Sequence, residues 1–340
     1  MSNGPLRIEQ YETVRYDINC NPLGVPDSVT RAIMENISAV GHYPDTYYEP
    51  LRNAIASYAC CAPEHLVLGS GSSDLLRLFV ALLAPKKALL PIPSATDYEH
   101  VLSVYGCETD FYELDINQDY HLDMDDFITH LSDTYDIVIL GNPNNPTSQL
   151  ISKADIEKLA AACKELGIAL LLDEMYIEFT ENYERNTAIS LVNTYDNLII
   201  LRSVSKFFSV PGLRLAYAIM NNETNSISCL TAAACTAMLE DTAYIHESHS
   251  RIFTERNLIY SAMNTNKNLR LFKPSANFAL MQILKEDVTA KSLLAHCNLK
   301  GIVLRNCENF HGLDSHFVRF SIMNPMQNDL MVNTILELLR

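Results

Sequence analysis

The sequence predicts an α/β fold: a large domain built on a mostly parallel sheet, joined to a smaller α+β domain. Three observations carry this. Short, continuously apolar runs such as ALLPI, IVILG, ALLLD and LIILR alternate with amphipathic segments of helical spacing, the pattern of strands covered on both faces. Loops rich in Gly, Asn and Ser leave the ends of those runs. Toward the C-terminus the texture changes to LMQIL, GIVLR and FVRFSI, strand-like segments of a second sheet, closed by the helix-like NTILELLR.

Taken in order, LVLGSG is a strand ending in glycines, and SSDLLRLFVALLA is a helix that Ser72 or Ser73 can cap. ALLPIP is a buried strand and ATDYEHVLSVYG a helix. DIVILGNPNNP runs from strand into a turn-rich loop. In SKADIEKLAAACKELG the apolar residues Ile156, Leu159, Ala160, Cys163 and Leu166 share one face. Ser152 can cap its start and Gly167 can close its end. IALLLDEMY and NLIILRS are again strands. At 340 residues the chain exceeds one comfortable core. The expected division is an N-terminal arm with part of the small domain (1–30), a large domain (31–225) and a small C-terminal domain (226–340).

The formal net charge of -16 argues against a nucleic-acid or anionic-membrane surface, which needs clustered Lys and Arg. The nine cysteines are an odd number with no C-x-x-C pair. That is the usage of a reduced, cytoplasmic chain whose cysteines serve as small apolar residues. MSNGPLRIEQ has no apolar signal core and no run reaches membrane length, so neither a signal peptide nor a membrane span is expected.

In such sheets ligands collect at the carboxyl ends of the strands, where GSGSSD, NPNNPT, DEMY and SVSK fall. Each alone is ordinary: a helix start, a turn, an acidic loop, a solvated lysine. Together they form a chemical set. A lysine amine, Lys206, can form a Schiff base with an aldehyde cofactor, and pyridoxal 5′-phosphate is the usual one. That cofactor asks for a carboxylate on its ring nitrogen, donors on its phenolic oxygen and a nest of donors for its phosphate. Asp173, at the end of a very apolar strand, is costly there unless a cation pairs with it. Tyr176 and Asn145 can donate to the phenolic oxygen. Ser72 and Ser73 open a helix, an anion site by its free N–H groups and dipole. Ser203, Ser205 and Arg214 can complete the phosphate site, and Tyr98 could stack on the ring.

With these residues in place the sequence resembles fold-type I PLP enzymes of the class I/II aminotransferase family, over nearly its whole length. The resemblance implies that Lys206 of S-x-S-K carries the cofactor and that Arg214 binds its phosphate. It implies the ring contacts of Asn145 in N-P-N-N-P-T and of Asp173 and Tyr176 in D-E-x-Y. Tyr43 of the Y-P-D element would reach the cofactor phosphate of a neighbouring subunit, which implies a homodimer with shared sites. Arg319 in FVRFS would bind the substrate α-carboxylate, a task that suits a bidentate arginine, with Asn21 as a second contact. INCNPLGVP, HYPDTYYEPL, SKFFSVPGLRL and RNCENFHGLDSHFVRFSI are similar to threonine-phosphate decarboxylases, a branch beside histidinol-phosphate aminotransferases. Arg305 is then a second pocket arginine or a surface one.

The chain departs from that branch in three places. An N-terminal H-G-G-N element is missing, Ala216 stands where glycine is usual, and the segment after Tyr217 is short. The sequence therefore leads to a PLP-dependent aminotransferase acting on a small phosphorylated or phosphonate amino compound. The alternative is a decarboxylase of a phosphorylated amino acid, and the remaining possibility a PLP-binding sensor without turnover. No metal is expected: His246 and His249 form H-x-x-H without a third ligand at zinc spacing, and are expected on a polar helix face.

Overall fold

The computed structural model describes residues 13–220 and 227–340. Among the described residues thirteen strands are, in chain order, β1 (Val14–Arg15), β2 (Leu66–Gly69), β3 (Lys87–Ile92), β4 (Glu108–Glu113), β5 (Ile137–Gly141), β6 (Ala169–Asp173), β7 (Leu198–Ser203), β8 (Ala216–Ile219), β9 (Leu269–Leu271), β10 (Phe278–Ile283), β11 (Ile302–Val303), β12 (Arg305–Asn306) and β13 (Phe317–Ser321). Seven form one sheet in the order β2-β8-β7-β6-β5-β3-β4, parallel except for β8, which runs antiparallel to both neighbours. A second, four-stranded antiparallel sheet has the order β12-β13-β10-β9. The α/β class and the smaller second sheet are as the sequence predicts.

The apolar runs are continuous because each strand of the large sheet feeds two cores. Val138, Leu140, Leu170, Leu172, Leu198 and Ile200 lie in one buried cluster. Their neighbours Ile137, Ile139, Leu171, Ile199 and Leu201 lie in another, on the opposite face of the pleat. The first cluster continues into the small sheet through residues such as Phe278, Val318 and Phe320. Only edge strand β4, ETDFYE, carries charges along its length, which blunts an otherwise free edge.

Local chemistry sets the helix boundaries. Ser152 accepts the Asp155 N–H at the start of the helix Lys153–Leu166, and Gly167 closes it with φ 74°. Ile156, Leu159, Ala160 and Cys163 are fully buried as expected. Leu166, in the last turn, is not: it is exposed at the helix end. The helix Ser72–Leu83 differs from expectation at its start. Its N-cap is Gly71, not a serine, and no side chain caps it, so both serine hydroxyls are free for other work.

Two further expectations change. GIVLR is not one strand: β11 pairs in parallel with β1, whereas β12 pairs antiparallel with β13, the chain turning at the buried Leu304. His249 does not sit on a polar face. It packs edge-on against Phe207 and Tyr183, with ring centroids 5.1 and 5.0 Å away, and burial lowers its pKa; His246 is exposed. Ala216, in place of the usual glycine, is fully buried between Ser203 and Gly69 in the ladder. The short segment after Tyr217 lies in part outside the described residues. Among the described residues no helix is long and apolar enough to cross a membrane.

Candidate active site

Because β2, β5, β6 and β7 run parallel, their carboxyl ends open on one edge, and the small sheet closes over it. A cavity of about 320 Å³ lies there. Lys206 lines it, while the apolar residues around it, Val204, Phe207, Phe208 and Val210, are all buried in the core. Its Nζ donates to the Ile18 carbonyl at 2.7 Å. Ser203 and Ser205, at the end of β7, also line the cavity, their hydroxyls 2.9 Å apart.

Ser72 and Ser73 enter the cavity from the first turn of their helix, and Arg214 faces them. The arginine lies against Gly71, where an added Cβ would sit 2.8 Å from the Arg214 Cζ. Gly71 also has φ 108°, a conformation that L side chains rarely adopt. The backbone shape therefore calls for glycine here, and a Cβ would push the Arg214 head group from its place. The result is a cradle of helix N–H groups, hydroxyls and one guanidinium, suited to a phosphate.

Asp173 ends β6, buried but lining the cavity. Its Oδ1 accepts the Met175 N–H at 2.9 Å and its Oδ2 accepts the Tyr98 hydroxyl at 2.9 Å. Both partners are neutral, and burial raises its pKa to about 6. Tyr98, expected to stack on the ring, lines the cavity and gives its hydroxyl to this carboxylate, and burial beside Asp173 raises the phenol's pKa well above its ordinary value. Tyr176 packs edge-on against Phe278 at 4.8 Å, and its hydroxyl accepts from the Asn19 amide at 3.4 Å.

Arg305 and Arg319 are opposite one another in the β12–β13 ladder and both line the cavity. Arg319 donates through Nη1 to the Asn145 Oδ1 at 2.6 Å and through Nη2 to the Asp17 carbonyl at 2.7 Å, while its buried Nε has no partner. Taking the oxygen of Asn145 leaves that amide's NH₂ as the free end, a donor. Arg305 donates to the Asn309 Oδ1 at 2.9 Å and stacks over Phe310 at 5.3 Å. It is a cavity residue, not merely a surface one.

Two expected residues are not brought in. Asn21 is buried elsewhere: its amide donates to the Phe207 carbonyl and the Ser248 Oγ, and its Oδ1 accepts the Leu23 N–H. With both ends committed it has nothing left for a substrate carboxylate, and it serves to tie the N-terminal segment to the lysine loop. Tyr43 is fully exposed, at 101%, and lies outside this chain's cavity. The sequence reading missed Asp97 and Phe310, both cavity residues. Asp97 had a signal, an acid in the first turn of the helix that carries Tyr98; the Ser73 hydroxyl donates to it at 3.4 Å. Phe310 had none, since its place depends on the long-range β12–β13 pairing.

Directly behind the site strands lies a buried ionic network. Arg202 of β7 donates to the Glu174 Oε2 at 3.0 Å, the Glu178 Oε1 at 2.7 Å and the Thr187 Oγ1 at 3.1 Å. Burial raises the pKa of Glu178, against the pull of Arg202. Glu174 follows Asp173 in the chain and Arg202 precedes Ser203, so the network locks the two strand ends that present the site.

The residues fit pyridoxal 5′-phosphate. A buried carboxylate with neutral partners matches a protonated ring nitrogen, and the Gly71–Arg214 cradle matches its phosphate. Known proteins resemble the chain along nearly its full length. The family model for aminotransferase class I and II matches residues 12–335. A histidinol-phosphate aminotransferase of Methanosphaera stadtmanae is 26% identical over 344 residues, covering 97% of this chain and 92% of that protein. The threonine-phosphate decarboxylase of Salmonella typhimurium is 28% identical over 345 residues, covering 98% and 93%. The crystal structure of the histidinol-phosphate aminotransferase from Clostridium acetobutylicum is similar with a TM-score of 0.88 at 33% identity, covering 95% of this chain and 98% of that one.

Proposed function

We propose a reaction for this chain, which belongs to the aminotransferase class I and II family: transamination of a small amino compound that carries a phosphate or phosphonate. The chain is an enzyme of a family that works with pyridoxal 5′-phosphate. When bound, that cofactor supplies an aldehyde to capture the substrate amine and a ring to accept the electrons of the bond broken at Cα. In this reading Asp173 holds the proton on the ring nitrogen, and Asn145 and Tyr176 donate to the phenolic oxygen. Ser72, Ser73, Ser203, Ser205 and Arg214 hold the phosphate. Lys206 Nζ moves the proton to and from Cα.

The observation that carries the substrate class is the cross-strand pair Arg305 and Arg319 on one wall of the cavity that holds Lys206 and Asp173. Two guanidiniums beyond the one that serves the cofactor phosphate suit a substrate with its own anionic group. The same pair favours a second reading. A substrate with both a carboxylate and a phosphate would occupy both arginines, as decarboxylation of a phosphorylated amino acid requires.

The test is incubation of the holoenzyme with O-phosphothreonine, histidinol phosphate and 2-aminoethylphosphonate in turn. Formation of pyridoxamine 5′-phosphate with a carbonyl product supports transfer. Release of CO₂ without pyridoxamine 5′-phosphate supports the second reading. No change with any phosphorylated or phosphonate amine, alongside turnover of unphosphorylated amino acids, overturns both.

The proposal includes a homodimer with shared sites. Tyr43 is exposed outside its own cavity, and Met34, Ile37, Val40 and Tyr47, near it in the sequence, are also exposed, apolar side chains suited to a second copy. It also includes a small domain that takes in the N-terminal arm, which the β1–β11 pairing supports. The helix Cys229–Leu239 packs on the helices Asp27–Asn36 and Glu49–Ala59, which supports moving the proposed boundary from near 225 to the end of that helix. A cytoplasmic site of action is in keeping with nine cysteines that form no disulfide.

A further inference from the structure

We propose that Tyr98 is a positioning residue for the cofactor: its hydroxyl holds the Asp173 carboxylate in the orientation and charge state that can pair with the ring nitrogen. This rests on the reading of the site as a pyridoxal 5′-phosphate site and assigns one more residue to it.

Three observations support the assignment. The Tyr98 O–H to Asp173 Oδ2 distance is 2.9 Å with both groups buried. The Met175 N–H occupies the other carboxylate oxygen, so the group is gripped at both oxygens and cannot rotate without losing a bond. The third observation is the residue beneath the phenol. Gly141, at the end of β5, is the ladder partner of Asp173, and a Cβ there would stand 3.3 Å from the Tyr98 hydroxyl oxygen. The neighbouring strand thus lacks a side chain where the phenol passes to reach the acid.

The charge argument runs the same way. Around Asp173 are the Tyr98 and Tyr176 phenols and the Asp97 and Glu174 carboxylates, with Lys206, Arg214 and Arg319 lining the same cavity. Burial raises the Asp173 pKa, the two nearby carboxylates raise it further, and the Met175 and Tyr98 hydrogen bonds lower it. A donor to the ionised form favours that form. Without the Tyr98 hydroxyl the acid would hold its proton to higher pH and would offer the ring nitrogen a neutral partner.

The experiment measures pyridoxal 5′-phosphate affinity by fluorescence from pH 5 to 9 for the wild type, Tyr98→Phe, Asp173→Asn and the double variant. Tyr98→Phe is expected to bind roughly 10- to 100-fold more weakly near pH 6–7, the effect of losing a hydrogen bond to an ionised group. Affinity falls as Asp173 is protonated, so the acid limb of the profile moves up by about one to two pH units. In the Asp173→Asn background Tyr98→Phe adds nothing, because the charge it serves is gone. Gly141→Ala, which alters neither partner, shifts the limb in the same direction by crowding the phenol. A merely structural role would weaken binding without moving the limb, and that result overturns the proposal; so does an unchanged profile in Tyr98→Phe. If the wild type itself binds no cofactor, the underlying reading of the site fails instead.

Discussion

Replacing Arg202 by leucine leaves Glu174 and Glu178 buried without their cation. Arg202 is one of the largest fully buried side chains in the molecule, and its three donor contacts all end on these carboxylates or on Thr187. Breaking a buried pair by removing one partner costs about 3–5 kcal/mol, because the charge left behind is uncompensated. The remedy available to the protein is a proton. With the guanidinium gone, the pKa of Glu178 in the folded state, already raised by burial and until then pulled down by Arg202, rises further above its unfolded value. Protons then bind the native state preferentially, so the variant regains stability as pH falls. Urea unfolding at pH 8 and pH 5 is the assay. The expected result is a deficit of about 3–5 kcal/mol at pH 8 that shrinks at pH 5. A triple variant with Glu174→Gln and Glu178→Gln added should recover much of the loss at pH 8. A deficit below about 1 kcal/mol at pH 8, the range of an exposed pair, or one that does not change with pH, would refute this account of the network.

Other outcomes follow from the site. Gly71→Ala puts a methyl group into the Arg214 guanidinium and a strained φ under it; cofactor affinity should drop while the urea midpoint falls by the equivalent of about 1–3 kcal/mol. Lys206→Ala should lower turnover by at least roughly 10²- to 10⁴-fold, and borohydride treatment of its holoprotein should add no mass to the peptide that spans position 206. Arg305→Gln should raise KM for a phosphorylated amine by roughly 10- to 100-fold, with cofactor affinity unchanged; an unchanged KM would remove Arg305 from the substrate pocket.

Much of the fold was legible because the residues that make strands also make the core. Ile137 to Leu140 read as a buried strand, and every one of them is buried in one of two cores. The polar loops were legible as a site because parallel strands deliver their ends to one edge. What could not be read was how the side chains of those loops are shared among themselves. Tyr98 was visible as an aromatic near the ring but its hydroxyl bond to Asp173 depends on where β5 and β6 lie relative to the helix Thr96–Val104. Asn21 carried a motif resemblance, yet Phe207 and Ser248, far away in the chain, take both hydrogens of its amide nitrogen. The Arg202 network was invisible in sequence because one arginine in an apolar strand gives no sign of which acids will meet it.

The contact between Arg319 and Asn145 joins a strand of one sheet to the loop that follows a strand of the other. One guanidinium is thereby anchored to the same amide whose NH₂ is assigned, in the proposed reading, to the cofactor's phenolic oxygen. On that reading, evolution cannot easily retune the grip on the substrate here without also changing the electronic setting of the ring. Selection for a new substrate would therefore act first on Arg305 and its neighbour Phe310, which are free of that linkage.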